Sequence, residues 1–416
     1  MATVTSQTSA VRTRMTGTQW IFLLLLVASI CINYIDRGSL SIASSFLTKE
    51  LSLDSKQLGT LLSSFFWTYA TFQIVSGWLV DRYNVNWVYG VGFFIWSAAT
   101  LFTGAIGSFG ALLAMRLVLG MGESVAYPSY SKIIANNFKE HHRGLANALV
   151  DAGSKAGPAI GVLLGGLFMD RYGWRVFFLF MGIASLIWLV PWCIFAPKDQ
   201  AARSQNSTDI PSIAQILQKR SAWGTFFGLL CSNYVWYFMV LWLPPYFRME
   251  RHYSQREMAL FGSVPFWGVA LASLLGGWLS DRWIERGGSP TRVRKTFVCS
   301  GLALCTLMLP SAMVKNQTIS LTLLTVACLS FGMFSSNVWA ITQTLAGPRA
   351  AGKWTGLQNS VGNIAGIAAP LFTGWVVKET GEFFYAFVAA VGFLVVGCVM
   401  YLFVVGKVEE VSWNQT

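Results

Sequence analysis

Seven ionisable side chains stand inside stretches otherwise apolar enough to lie in a membrane: Asp36, Arg37, Arg116, Glu123, Lys132, Asp151 and Lys155. Such a group costs free energy in hydrocarbon and normally faces a partner or a wet cavity. All seven fall in the first half of the chain, and the apolar stretches of the second half hold no Asp, Glu, Lys or Arg beyond Glu257, the first residue of one. A polar site on the inner face of the first half is therefore expected, with the second half supplying neutral polar and aromatic groups. Asp36 and Arg37 lie about 17 residues into the first apolar run, roughly 25 Å along a helix rising 1.5 Å per residue, hence in its outer half. Arginine suits carboxylate binding because it stays charged and offers a planar fork. A carboxyl beside it in a low-dielectric cavity can take up a proton near neutral pH when its cationic partner is engaged elsewhere.

Arg116 and Glu123 are two helical turns apart and share a face. They are too distant along the helix for a tight pair, so each is expected to meet a group on another helix. Tyr127 and Pro128 follow in the same run and favour a local kink, which frees backbone groups for a cavity. Asp151 and Lys155 are i, i+4 and able to neutralise each other. In the alternative, Lys155 faces the cavity and meets a second anionic group. Lys132, near the end of its run, reads as a snorkelling lysine.

The elements that must position these groups follow from composition. The chain has 416 residues, 54% hydrophobic and 12% charged, against about 25% charged in soluble domains, so it is an all-α integral membrane protein. At about 20 apolar residues per span, twelve transmembrane helices fall at 19–42, 58–80, 87–106, 110–135, 144–168, 174–196, 222–247, 257–280, 297–314, 318–345, 354–377 and 383–406. The one long polar segment, 197–221, divides an N-terminal six-helix bundle (1–196) from a C-terminal one (222–416). Gly77-Trp78-Leu79-Val80-Asp81-Arg82 returns as Gly277-Trp278-Leu279-Ser280-Asp281-Arg282. Gly144-Leu145-Ala146-Asn147 returns as Gly356-Leu357-Gln358-Asn359, so the two halves are internal repeats.

The net charge of +12 does not mark a nucleic-acid partner, because the basic residues cluster in short loops. With both termini inside, inner segments hold 17 Lys and Arg and outer loops 9, the bias of a protein with both ends in the cytoplasm. Both GWLxDR copies then lie in inner loops. The seven cysteines sit singly in apolar runs without metal or disulfide spacing. No small-residue cleavage site follows the first apolar run, so it reads as an uncleaved span.

The GWLVDR loop resembles the signature that follows helix 2 in the major facilitator superfamily. Asn33-Tyr34-Ile35-Asp36-Arg37, with Gly120-Met121-Gly122-Glu123-Ser124-Val125-Ala126-Tyr127-Pro128-Ser129, is similar to its anion:cation symporter family, which includes bacterial proton-coupled carriers of sugar acids. The resemblance runs over essentially all twelve spans. It implies alternating access by two six-helix bundles in a bacterial inner membrane, with Asp36 and Glu123 as protonation sites, Arg37 binding a substrate carboxylate and Arg116 modulating Glu123. It also implies a conformational latch at Gly77, Asp81, Arg82, Gly277, Asp281 and Arg282, and substrate-facing roles for Ser336, Trp339 and Asn359. Tyr34, Tyr69 and Ser154 fit the same cage by stacking and hydrogen bonding.

Gly153, Gly157 and Gly161, with Gly362 and Gly366, make small-residue seams for close helix contact. Gly157-Pro158-Ala159-Ile160-Gly161 resembles part of the superfamily's antiporter signature, although Val162 follows where that signature has glycine. The sugar-acid carriers hold a polar uncharged stretch where this chain has Lys155, which opens the substrate class to dicarboxylates.

The expected activity is proton-driven symport of a small organic anion, a hexonate, hexarate or hexuronate first and an aromatic or other carboxylate second. An anion exchanger without a proton cycle is the alternative mechanism. A sensor or scaffold is disfavoured by the embedded charges and the lack of a soluble domain. No enzyme chemistry, metal or cofactor beyond the coupling proton is implied. The expected partners are the anion, protons and the lipid bilayer, with the protein a monomer.

Overall fold

The computed structural model describes residues 15–138, 140–196 and 211–413. Residues 197–210, most of the central polar segment, lie outside these, as do Arg12, Arg14, Lys139, Lys198, Arg203 and the side chain of Asp81. Among the described residues the secondary structure is helical throughout, with no strand.

Ten stretches are long and apolar enough to cross a membrane. One of them, Leu145–Phe195, contains two spans, and the more polar Ser55–Arg82 adds a further one, which makes twelve. In chain order they are α1 (Gly17–Ile42), α2 (Ser55–Arg82), α3 (Val85–Thr103), α4 (Phe109–Asn137), α5 (140–172), α6 (174–195), α7 (Arg220–Met249), α8 (Gln255–Glu285), α9 (Pro290–Met313), α10 (Gln317–Gly347), α11 (Arg349–Thr380) and α12 (Phe384–Val404). Six of them, α1, α2, α3, α4, α8 and α10, start behind a capping residue whose side chain accepts from an otherwise unpaired first N–H group. Thr16, Asp54 and Ser254 do so in reciprocal boxes with Gln19, Gln57 and Glu257. Two glycines at positive φ, Gly173 (82°) and Gly347 (62°), turn the chain from α5 to α6 and from α10 to α11, a conformation other residues rarely adopt.

Several helices begin earlier than their apolar stretch. The start of α9 is Pro290, so Arg292, Arg294 and Lys295 are helical, and α11 starts at Arg349. Apolarity marks the membrane boundary, whereas capping and Pro at the first position mark the helix boundary. Four of the last six helices, α7, α8, α9 and α11, therefore do carry charged residues, at their ends.

The same packing scheme occurs twice. In the first half α1 lies on α5, α2 on α4, and α3 on α4 and α6; in the second half α7 lies on α11, α8 on α10, and α9 on α10 and α12. The α5 glycines form the seam with α1: Gly157 meets Tyr34 and Cys31, and Gly153 meets Ile30 and Val27. Gly366 meets Phe66 of α2, and Gly362 meets Leu229 and Asn233 of α7.

The two halves meet at the end remote from the GWLxDR loops. There a Cβ on Gly59 of α2 would lie 2.5 Å from the Pro370 carbonyl of α11, and one on Gly166 of α5 would lie 2.6 Å from Ala259 of α8. Ser41 donates to the Leu241 carbonyl (2.7 Å), Ser63 to that of Ile367 (3.2 Å), and Lys378 pairs with Asp54 (2.9 Å). Toward the GWLxDR loops, α2 and α11 part. Ile74 and Trp78 are exposed, and Gly77, Gly352 and Gly356 have no atom within 4 Å of a would-be Cβ. The two halves thus pack together at one end and part toward the GWLxDR face.

Candidate functional site

Successive residues on a helix point about 100° apart, so Asp36 and Arg37 of α1 serve different neighbours. Arg37 reaches α4, where its Nε donates to Glu123 Oε2 at 2.7 Å, both side chains being almost fully buried. Its guanidinium also lies over the rings of Tyr69 (4.5 Å), Tyr34 (4.8 Å) and Phe65 (5.1 Å). Ring faces attract a cation, so the fork is held by one carboxylate and an aromatic box. Its Nη2 has no acceptor.

Glu123 ends the first segment of α4, immediately before a break at Ser124–Val125. Pro128 stands three residues beyond that break and cannot donate to the Ser124 carbonyl, which accounts for it. Ser124 bonds Ser76 of α2 at 2.7 Å. Asn33 lies beside Glu123 without reaching hydrogen-bond geometry, and Oε1 is unpartnered. Arg116 stacks on Phe65 (5.2 Å), with Glu123 and Asp36 as its nearest acids and its Nε and Nη2 unpartnered. Asp36 faces Thr100 of α3, but neither carboxylate oxygen makes a hydrogen bond. Two acids and two arginines thus share one buried cluster, neutral when all are ionised. One added proton leaves it with a net positive charge.

The other half closes the wall with neutral groups. Tyr237 of α7 donates to Asn363 Oδ1 of α11 at 2.8 Å, Asn363 donates to Gln73 Oε1 of α2 at 3.4 Å, and Gln73 donates to the Tyr69 hydroxyl at 3.2 Å. This chain crosses between the halves and ends at the ring that faces Arg37. Tyr237 also packs against Phe66 (4.5 Å), and Tyr34 bonds Tyr127 (3.0 Å). The sequence reading missed Asn33, Gln73, Thr100, Tyr127, Tyr237 and Asn363 as site residues. The available signal was for Asn363 alone, one helical turn from Asn359 on the same face.

Of the residues singled out from sequence, Tyr34, Asp36, Arg37, Tyr69, Arg116 and Glu123 converge here. Asn359 is half-buried one turn nearer the GWLxDR end, and Trp339 is half-buried against the core of its own half. Ser336 lies elsewhere: it packs on Gly276 and Gly277 of α8 and accepts from Asn337. Ser154 is buried and turns back to the Asp151 carbonyl (2.7 Å). Lys155 does not pair with Asp151; its Nζ lies over the ring of Trp236 in α7, 4.9 Å from the centroid.

The two GWLxDR copies are tied down differently. In the second, Arg294 of α9 donates to Asp281 (2.6 Å), Ser280 (2.8 Å) and Asn337 of α10 (2.9 Å). Arg282 pairs with Glu285 of its own helix. In the first, Lys132 of α4 donates to the Val80 carbonyl, and Arg82 lies over Trp78. Lys132 therefore ties helices together at the loop, where snorkelling was expected. All of these bonds lie within one half.

Twelve spans in two matching sets of six, around a buried cluster of charges where the halves meet, define a multi-pass membrane transporter. A family model described as "Major Facilitator Superfamily" matches residues 26–370, and the chain belongs to that superfamily; it is a transporter, not an enzyme. It is 29% identical over 429 residues to the Bacillus subtilis protein named "Probable galactarate/D-glucarate transporter GudP", covering 95% of this chain and 94% of that protein. It is 26% identical over 419 residues to the "D-galactonate transporter" of Escherichia coli, covering 95% of this chain and 97% of that one. Among solved structures, a bacterial homologue of the human lysosomal transporter Spinster, in an inward-facing and unoccupied conformation, shares the fold. Its TM-score is 0.79 at 19% identity, over 93% of this chain and 97% of that one.

Proposed function

We propose that this protein carries a sugar acid by proton-coupled symport, through alternating access of the two six-helix halves across the bacterial inner membrane. The observation that supports this most is the buried Arg37–Glu123 pair at 2.7 Å, within an aromatic box and beside an Asp36 without hydrogen bonds. Arg37 holds Glu123 while the site is empty. A substrate carboxylate competes for the same fork, and Glu123, released in a water-poor setting, sheds its charge by taking a proton. Asp36 supplies a second protonation site. Reorientation is favoured when the cluster and its anion sum to no net charge, and that differential stability links the two fluxes. The polyol chain is oriented by Tyr34, Tyr69, Tyr237, Gln73, Asn359 and Asn363, and the protein works as a monomer.

The substrate class draws on the relatives, whose names specify galactarate, D-glucarate and D-galactonate. The excess of basic residues in the GWLxDR-side segments supports cytoplasmic termini, and on that orientation the halves part toward the cytoplasm. Calorimetric titration of the purified protein with galactarate, D-glucarate and D-galactonate tests the substrate class. Saturable binding to at least one, lost in Arg37→Gln, is expected. Binding to none of the three would remove the sugar-acid reading.

A further inference from the structure

Lys155 is an embedded cation outside the Asp36–Arg37–Arg116–Glu123 cluster that the symport scheme leaves without a role. Among the described residues no carboxylate lies within ion-pair reach of it. Asp151, one turn away, accepts instead from Ser154 at 3.5 Å. What Lys155 does meet is the ring of Trp236, which belongs to the other half of the molecule. A ring face offsets only part of the hydration an ammonium loses on leaving water, and the packing of α5 on α1 rests on the neighbouring glycines. An ammonium is therefore not needed there for the fold.

Its position relates it to the site. Gly157, two residues further along α5, packs against Tyr34, where a Cβ would come within 2.6 Å, and Tyr34 is one of the rings beneath the Arg37 guanidinium. Trp236 precedes Tyr237, whose hydroxyl starts the hydrogen-bond chain to Asn363 and Gln73. Lys155 thus stands within a few turns of Arg37 along the helices, nearer the GWLxDR end, and on the side of α5 that faces the other half.

We infer that Lys155 is a second anion-binding group, so that the site takes a doubly charged organic anion with one acidic group on Arg37 and the other on Lys155. This rests on the sugar-acid reading and adds a charge count to it. Lys155 exchanges the Trp236 ring for the second acidic group, a charge-assisted contact stronger than a neutral one. Because Trp236 and Lys155 lie in different halves, that exchange also changes what holds the halves together.

The test is calorimetric affinity for galactarate, with two carboxylates, and galactonate, with one, in wild type, Lys155→Gln and Lys155→Arg, each with a melting curve to confirm folding. Wild type should prefer galactarate. In Lys155→Gln the ratio of the two affinities should fall at least ~10-fold, the equivalent of one charge-assisted contact, and Lys155→Arg should keep most of it. An unchanged ratio in Lys155→Gln, or an equal fall in Lys155→Arg, would overturn the assignment. Wild type binding neither acid would overturn it together with the sugar-acid reading, a failure recognisable because it appears before any substitution.

Discussion

Arg37 of α1 and Glu123 of α4 face each other across 2.7 Å in a pocket closed to solvent, each being the other's principal ionic partner. A buried pair of this kind is costly to break from one side, because the survivor is left charged and unmatched. Substrate binding on Arg37 and proton uptake on Glu123 are therefore two sides of one exchange.

Arg37→Lys keeps the charge but loses the planar fork and the fit between the Tyr34 and Tyr69 rings. Affinity for a sugar acid should fall by at least ~10-fold, about 1.4 kcal/mol, as read by titration calorimetry. Affinity equal to wild type would show that charge alone suffices there.

Glu123→Gln leaves Arg37 permanently available. Binding should persist or tighten and its dependence on pH between about 5 and 8 should weaken to the part that Asp36 carries, while gradient-driven accumulation is lost. Equilibrium binding across that range, beside counterflow in vesicles, separates the two effects.

The pair Asp54–Lys378 spans the halves at the closed face. The Lys378 ammonium, then the Gln57 N–H, hold the Asp54 carboxyl below the usual carboxylate range. A lowered value means the contact favours the closed face above about pH 4 and is lost as pH falls through the lowered value. Both side chains are about two-fifths exposed, so the effect is small and screened by salt. Spin-label distances across α2 and α11 should lengthen in Asp54→Asn, and in wild type with added salt.

Gly59→Leu forces a side chain where the Pro370 carbonyl already stands 2.5 Å from a Cβ. The closed face should open and transport fall, with the same spin-label pair shifted to longer distances. Unchanged distances would contradict the α2–α11 seam as the outer closure.

Much of this arrangement was legible in the sequence, for reasons particular residues make plain. Embedded charges are rare and must meet something, so Asp36, Arg37, Arg116 and Glu123 announced a cluster. The repeated GWLxDR loop announced two halves. Neutral groups carry no such signal: Tyr237 and Asn363 sit in apolar helices where a tyrosine or an amide is equally at home in a core. Side-chain direction was also hidden. Ser336 is turned onto Gly276 and Gly277 because small residues there let α8 approach. Lys155 is turned from Asp151 to a ring in the other half, a contact that no spacing within α5 can reveal.

The central claim is that proton and anion cross together through the Asp36–Arg37–Glu123 cluster. The direct measurement is uptake of labelled galactarate and galactonate into proteoliposomes, with and without an inward proton gradient, for wild type and Asp36→Asn. The account predicts accumulation that follows the gradient in wild type, and in the variant counterflow without accumulation. Accumulation that ignored the gradient and required an anion trapped inside would contradict it and make the protein an exchanger.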